Sequence, residues 1–499
     1  MNEIDSQKSI QRIVVVGGGT AGFLSALALK TKLPGIELVI VHSPDIPVIG
    51  VGESTTRAFP QFLHEDLKLD RLEFFREVQP SWKLGLRMEW GSPKDTHFNY
   101  PFDLALNEYP PGLKKTKAFC AIENPRDLSL FSALMDCGKS PCSMQGNKFS
   151  ADTRSAYHLK NDRFIEYLKR KSVALGVEVI EGKVVEVQQE ADGGVSALTL
   201  EDGRSIDGDF FIDCSGFRSL LLGDKLGEPY CSYEATLFCD AAVIGSWQRD
   251  DDVKPYTTVE TMEHGWCWRI DFLDVVTRGY VFSTEFCDEN EAMAEMKEKN
   301  PQLGDDLRVL KFPRGRRERF WVNNVAAIGN ASGFVEPLEA TALHLIVEQL
   351  HFLTVALADN DGRIVPAARD LENQRFRRIW DDVRDFLALH YRFNHKIDSA
   401  FWRHCHQHSD LGNAQQLVDY YQKAGPSTNT GAILDPMGIF GFDGYMIMLL
   451  GQRVPTDAQP MSNEENDVWE MYGKQLQTDT QHAIPMREIL EKMYHPPNS

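Results

Sequence analysis

The residues near the start of the chain that are best placed to do chemistry are glycines. Gly17, Gly19 and Gly22 lie in a Gly-Gly-Gly-Thr-Ala-Gly run between the β-branched stretch Arg12 to Val16 and an apolar pattern through Phe23, Leu27, Leu29 and Leu33. This spacing suits a phosphate ligand. The first glycine makes a tight turn, the second lets a pyrophosphate approach the backbone, and the third lets a helix pack close to a strand. Pro34 and Gly35 end the helical pattern, and Ile36 to Val41 read as a second buried strand. The unit is a dinucleotide-binding βαβ, and FAD is the dinucleotide expected to fill it, on Gly17, Gly19, Thr20, Ala21 and Gly22. Where an acidic residue commonly meets the ribose, at the end of the second strand, the chain carries His42 and Ser43. His42 either caps the strand or meets the ribose.

Further elements must bring distant pieces to this turn. Arg163 to Leu175 has helical periodicity and stops at Gly176. Val177 to Gln188 and Val195 to Leu200 alternate as two strands of a hairpin around Ala-Asp-Gly-Gly. Asp209 to Asp213 and Val325 to Ile328 read as further buried strands, the second followed by Gly329-Asn330-Ala331 and a helix starting near Glu339. The last 150 or so residues are mostly helical, with Trp380, Phe386 and Tyr391 as core aromatics. The expected fold is α/β, a Rossmann-like FAD-binding module of the flavin monooxygenase type interleaved with a substrate-binding layer and a mostly helical C-terminal region. Residues 10–85, 155–235 and 310–350 form the discontinuous FAD module, and 86–154, 236–309 and 351–499 the substrate-binding and helical region.

Composition narrows the function classes. With 42% hydrophobic and 25% charged residues, the 499-residue chain falls in the globular range. The opening Met-Asn-Glu-Ile-Asp-Ser has no signal-peptide profile and no apolar run is expected to cross a bilayer, so a cytoplasmic location is expected. Nine cysteines without paired spacing read as reduced thiols. His404, Cys405, His406 and His408 alternate like a surface segment with no second ligand cluster, so no metal site is expected. A net charge of -20 disfavours nucleic acid and anionic membrane as partners.

Taken together, these pieces resemble the flavin-dependent halogenases of the tryptophan-halogenase type over nearly the whole chain. Val14 to Gly22 is similar to their FAD turn, and Gly50-Val51-Gly52-Glu53-Ser54-Thr55 to their G-x-G-E-[AS]-T segment. Trp82-Lys83-Leu84-Gly85 resembles the stretch holding the family's active-site lysine. Asp213 to Arg218 and Gly329 to Glu339 resemble the remaining cofactor and active-site loops. The W-x-W-x-I-P signature is matched by Trp266, Trp268 and Ile270, with Asp271 in place of proline, a change expected to loosen that turn.

The resemblance implies an FADH2-dependent halogenase that installs chloride or bromide on an electron-rich arene, indole-like or phenolic, through a flavin hydroperoxide and hypohalous acid. O2 is consumed, and reduced FAD comes from a separate NADH-dependent flavin reductase. It implies cofactor contacts at Gly50, Gly52, Glu53, Ser54, Thr55, Asp213, Gly329 and Asn330, and places Trp266 and Trp268 beside the flavin. Lys83 delivers the halogen, as an ammonium that holds hypohalous acid or, deprotonated, as a haloamine. Glu339 stabilises the arenium and takes its proton, with Glu336 a competitor for that role. The backbone amides of Thr341 and Ala342 bind the halide at a helix N-terminus. Ala340 and Ala342 stand where relatives often carry Ser, and Ser or Gly, and alanine resists positive φ. Phe98, Tyr100, Phe102, Phe440, Phe442 and Tyr445 are plausible arene lining. The alternatives are a flavin-dependent aromatic hydroxylase and a catalytically silent FAD-binding protein.

Overall fold

The strand Arg12–Val16 lies inside a six-stranded sheet whose order is Glu178–Glu181, Glu37–His42, Arg12–Val16, Phe210–Asp213, Val325–Ala327, Trp321–Val322. The first five strands run parallel and the last is antiparallel. Ile13, Val14 and Val15 are fully buried, as a strand covered on both faces requires. The helix Thr20–Lys32 follows the glycine turn. This computed structural model describes residues 9–46, 52–104, 113, 129–145 and 148–494; Gly50 lies outside them.

The hairpin expected from Val177 to Leu200 is divided. Glu178–Glu181 joins the parallel sheet, and only Val184–Gln189 pairs with Val195–Leu200. The break falls at Gly182, where a Cβ would lie 2.7 Å from the end of the Leu200 side chain and would have to displace it.

Residues on either side of this module build a seven-stranded sheet in the order Arg308–Lys311, Ala241–Gln248, Val275–Phe282, Gly265–Asp271, Thr257–Met262, Gly85–Glu89, Phe98–Pro101. A small sheet of Glu53–Ser54, Ala156–Leu159 and Ser81–Lys83 lies next to it in the chain, and Leu84 alone separates Lys83 from the larger sheet.

The helix expected near Glu339 is Thr341–Asp359, entered through a short turn, Leu338–Ala340. The apolar stretch Leu338–Asp359 does reach membrane-crossing length and hydropathy, against expectation, but 72% of its most apolar window is buried inside the protein. The 27-residue helix Pro366–Arg392 follows, with proline in its first turn, where a missing N–H costs nothing. His404 to His408 belong to the helix Ala400–His408, which buries Phe401, Trp402 and Cys405; the period is helical and not that of an alternating surface segment.

Candidate active site

At the fingerprint, two glycines are enforced by the protein and one is not. Gly17 has φ +124°, and a Cβ there would sit 2.3 Å from the Cys214 carbonyl oxygen. A Cβ on Gly22 would sit 1.9 Å from the Gly17 carbonyl oxygen. A Cβ on Gly19 would meet nothing within 4 Å. Gly19 is also the N-cap of the helix Thr20–Lys32, which has no side-chain cap and no acidic residue in its first turn. The amides of that turn and the helix dipole suit an anion. Beside it, a Cβ on Gly18 would lie 2.7 Å from the His42 ring, whose Nε2 is buried and has no partner among the described residues. Burial, helped by Lys169, lowers the His42 pKa, so the imidazole is neutral and Nε2 suits a ribose hydroxyl. The open backbone at Gly19 and the orphaned nitrogen at the strand end both fit FAD.

Two further loops reach the fingerprint: Asp213 stands opposite Val16 on the neighbouring strand, and a Cβ on Gly329 would lie 3.2 Å from Ala21. Glu53 accepts from Asn161 Nδ2 at 3.1 Å, and burial raises its pKa. Ser54 Oγ lies 2.9 Å from Thr257 Oγ1. Asp213 is committed within the protein: Oδ1 accepts from Ser215 N and Oγ, and Oδ2 accepts from Leu221 N and Leu222 N. Gly329 has φ +67° and donates its N–H to Gln349. Gly329, Asn330, Thr341 and Ala342 line one small crevice with Trp380, so the structure brings the expected cofactor loop and the expected halide amides together.

Lys83 is fully buried at the end of its strand. Its Nζ donates to the Thr55 carbonyl at 3.0 Å and sits 4.9 Å from the centre of the Phe102 ring. Burial brings its pKa down to about 7, with the Glu339 charge pulling the other way. Glu339, 3% exposed, has φ +66°, and Ala340 after it has φ +57°. Positive φ thus falls on these two residues and not on Ala342, which is inside the helix. Such residues cost roughly 1–3 kcal/mol each and persist only where their surroundings hold them.

Two neighbours on the long helix hold this turn. His390 Nε2 lies 2.9 Å from Glu339 Oε1. Tyr391 donates its hydroxyl to both oxygens of Glu336, at 2.6 and 2.7 Å, and Trp266 donates its indole N–H to Oε1 at 3.2 Å. Glu336 is 1% exposed, and burial pushes its pKa up to about 7 against those donors. The two carboxylates therefore have different surroundings: Glu339 lines the large cavity described below, and Glu336 is not part of its wall.

Trp266 and Trp268 share a face of their strand, with ring centres 6.1 Å apart. The Trp268 ring occupies the space left by Gly279, where a Cβ would come within 1.9 Å of it, and its N–H has no acceptor among the described residues. Asp271 does not loosen the turn. It is fully buried, lies 2.8 Å from Arg269 Nε and 3.3 Å from Arg249 Nη2, and accepts from Lys254 N. Its carbonyl accepts from Ser81 Oγ at 2.8 Å, tying it to the strand that ends in Lys83.

A cavity of about 690 Å³ opens beside Glu339. Tyr100, Phe102, Phe440 and Phe442 line it; Phe98 and Tyr445 do not and are buried core. Its wall also holds Arg57, His344, Glu348 and His351, which sequence reasoning missed. A signal was there: residues 344, 348 and 351 recur at i, i+4 and i+7 on an otherwise apolar helix, one polar stripe. His390 carried no such signal.

The sequence model of the tryptophan halogenase family matches residues 12–467. The chain is 32% identical over 464 residues, 87% of this chain and 85% of the other, to the tryptophan 7-halogenase RebH of Lentzea aerocolonigenes. Among solved structures, MibH, a lathipeptide tryptophan 5-halogenase, matches at 35% identity and a TM-score of 0.90 over 98% of this chain and 94% of that one. Xcc4156, a flavin-dependent halogenase from Xanthomonas campestris, matches at 27% identity and a TM-score of 0.88 over 99% of this chain and 100% of that one.

Proposed function

From the premise that this chain belongs to the tryptophan halogenase family, flavin-dependent enzymes that halogenate an aromatic substrate, we propose how its own residues divide the work. The observation that carries the reading is a fully buried lysine whose amine donates to the Thr55 carbonyl, within reach of the charge of Glu339, a carboxylate in the wall of a cavity of ligand size.

FAD would be held at the fingerprint, with Gly19 and the first amides of the helix Thr20–Lys32 available to its pyrophosphate, His42 to its ribose, and Ala21, Gly52, Glu53, Ser54 and Thr55 as further contacts. Reduced FAD with O2 and chloride or bromide supplies hypohalous acid. Thr341 and Ala342 offer backbone amides to the halide at the helix N-terminus, in the crevice shared with Gly329 and Asn330. Trp266 and Trp268, side by side on one face of their strand, would screen the arene from direct oxygen transfer by the bound flavin. Lys83 holds the electrophilic halogen against one ring carbon, with Thr55 and Phe102 fixing its amine. The carboxylate of Glu339 stabilises the arenium and takes its proton. Residues 10–85, 155–235 and 310–350 serve as the FAD module and the rest as the substrate side.

The substrate is an electron-rich arene, an indole in the first instance, because RebH and MibH among the relatives named above are tryptophan halogenases. A cavity of about 690 Å³ has room for a ring carried by a larger molecule, such as a tryptophan within a peptide. A separate NADH-dependent reductase supplies the reduced flavin in the cytoplasm, since the sequence carries one dinucleotide fingerprint. The test is mass spectrometry of products from free tryptophan, tryptophan-containing peptides, other indoles and phenols, incubated with reductase, FAD, NADH and chloride or bromide. Halide-dependent product is expected; hydroxylated product indifferent to halide would replace this reading with direct oxygen transfer.

A further inference from the structure

We propose that His390 is the positioning residue of Glu339: it fixes Oε1, shares one proton with the carboxylate, and leaves Oε2 to receive the proton of the arene. The inference rests on the role given to Glu339 above.

The hydrogen-bond geometry sets the proton count. His390 is fully buried on the helix Pro366–Arg392, with Nδ1 2.8 Å from the Phe386 carbonyl one turn earlier. A carbonyl oxygen only accepts, so Nδ1 carries a hydrogen. In the neutral ring Nε2 then has a lone pair, and it faces Glu339 Oε1 at 2.9 Å. Two lone pairs do not meet at that distance in a buried site. One proton therefore lies between them, as imidazolium with carboxylate or as imidazole with carboxylic acid.

The surroundings keep this arrangement in place. Trp90 donates its N–H to the His390 carbonyl at 3.0 Å, and the Phe386 ring packs 4.9 Å from the imidazole. The titratable groups on which the Glu339 charge acts are Lys83 from the small sheet and Tyr100 from the strand Phe98–Pro101, and Arg57, Asp66, His344, Glu348, His351 and Asp443 share the cavity wall with Glu339. Tyr391, the next residue on the helix, is committed to Glu336. No hydrogen bond to Glu339 Oε2 occurs among the described residues. When the arenium loses its ring proton, the C–H electron pair returns to the ring and the proton adds to Oε2. The pair passes from one proton to two, and water later removes one.

Two measurements test this. In protein with ¹⁵N-labelled histidine, His390, assigned by its loss in His390→Gln, should show a protonated Nδ1, and Glu339→Gln should shift its Nε2 signal; neither reading needs turnover. A bare Nδ1 with the hydrogen on Nε2 would overturn the proton count. In turnover, His390→Gln keeps a donor but cannot become cationic. Its kcat should fall at least about tenfold, below the usual range for a lost acid–base group. KM and FAD affinity should stay within about twofold, so that the loss falls on kcat, and the combined variant His390→Gln/Glu339→Gln should turn over no more slowly than Glu339→Gln, because His390 acts only through that carboxylate. A His390→Gln loss that multiplies with the Glu339→Gln loss in the combined variant, or that falls on KM, would make His390 a packing residue and overturn the proposal. Absence of halogenated product from wild type would defeat the halogenase roles instead, and the ¹⁵N spectra would still decide the shared proton.

Discussion

Trp266 donates its indole N–H to Glu336 at 3.2 Å, and so ties a residue of the seven-stranded sheet to the turn that carries Glu339. Glu336 receives that N–H and the Tyr391 hydroxyl deep in the core, away from the cavity wall. Its task is to hold parts together.

The two carboxylates should therefore respond differently to the same change. Glu339→Gln should lower turnover by about 10²-fold or more, the scale of a lost acid–base group, with FAD binding intact. Glu336→Gln keeps an oxygen for the two donors and should cost less turnover and some thermal stability. Paired kcat and melting measurements check this, and the reverse ranking in kcat would assign the chemistry to Glu336.

Gly19 permits a clean test of cofactor binding. A Cβ there meets no protein atom within 4 Å, and φ -89° is open to any residue, so Gly19→Val should fold normally. The added branch occupies the approach of the pyrophosphate, and FAD affinity should drop by at least about tenfold, the 1.4 kcal/mol of one order of magnitude. Gly17→Val and Gly22→Val would drive a side chain into backbone atoms and should fail to fold. Unchanged flavin titration in a folded Gly19→Val protein would remove the fingerprint from the site.

The parts read correctly from the sequence are those whose constraint is local. Gly22 is dictated by the Gly17 carbonyl five positions earlier, Gly17 by its own positive φ, and the run Arg12 to Val16 by burial on both faces. The site depends on distant pairs. His390 lies 51 positions from Glu339, four residues after Phe386 in an aromatic stripe that reads as plain core. The split of residues 177–188 between two sheets is marked in the sequence by a single glycine, Gly182, within a run otherwise rich in valine and isoleucine. Asp271 looked like a lost proline because its arginine partners, one of them Arg249, cannot be chosen from sequence.

That misreading yields a stability prediction. Asp271→Ala would leave Arg249, whose side chain is 1% exposed, with the half-exposed Asp251 as its remaining carboxylate among the described residues, besides the Phe272 and Asp252 carbonyls. Breaking a buried ion pair costs about 3–5 kcal/mol, and the remaining carboxylate places this site at the low end. Urea unfolding of the FAD-free protein should show a loss of about 3 kcal/mol. A change below about 1 kcal/mol would mean that Asp271 contributes no more than an exposed pair.

Lys83 separates halogen delivery from oxygen activation. Lys83→Met keeps much of the buried stem and removes the nitrogen, so fold and FAD site should survive while arene halogenation is lost. Flavin reoxidation should continue, with its oxygen emerging as hydrogen peroxide or stray oxidant. The pH dependence then distinguishes the two forms of the amine. Burial holds the Lys83 pKa at about 7, so the neutral amine is the minority below that pH and the majority above it. If a haloamine carries the halogen, halogenated product per flavin oxidised should rise as pH increases through about 7 and level off above it. A ratio that falls over the same range would assign delivery to the ammonium as a hydrogen-bond donor. Product from Lys83→Met at near wild-type yield would remove Lys83 from the reaction in either form.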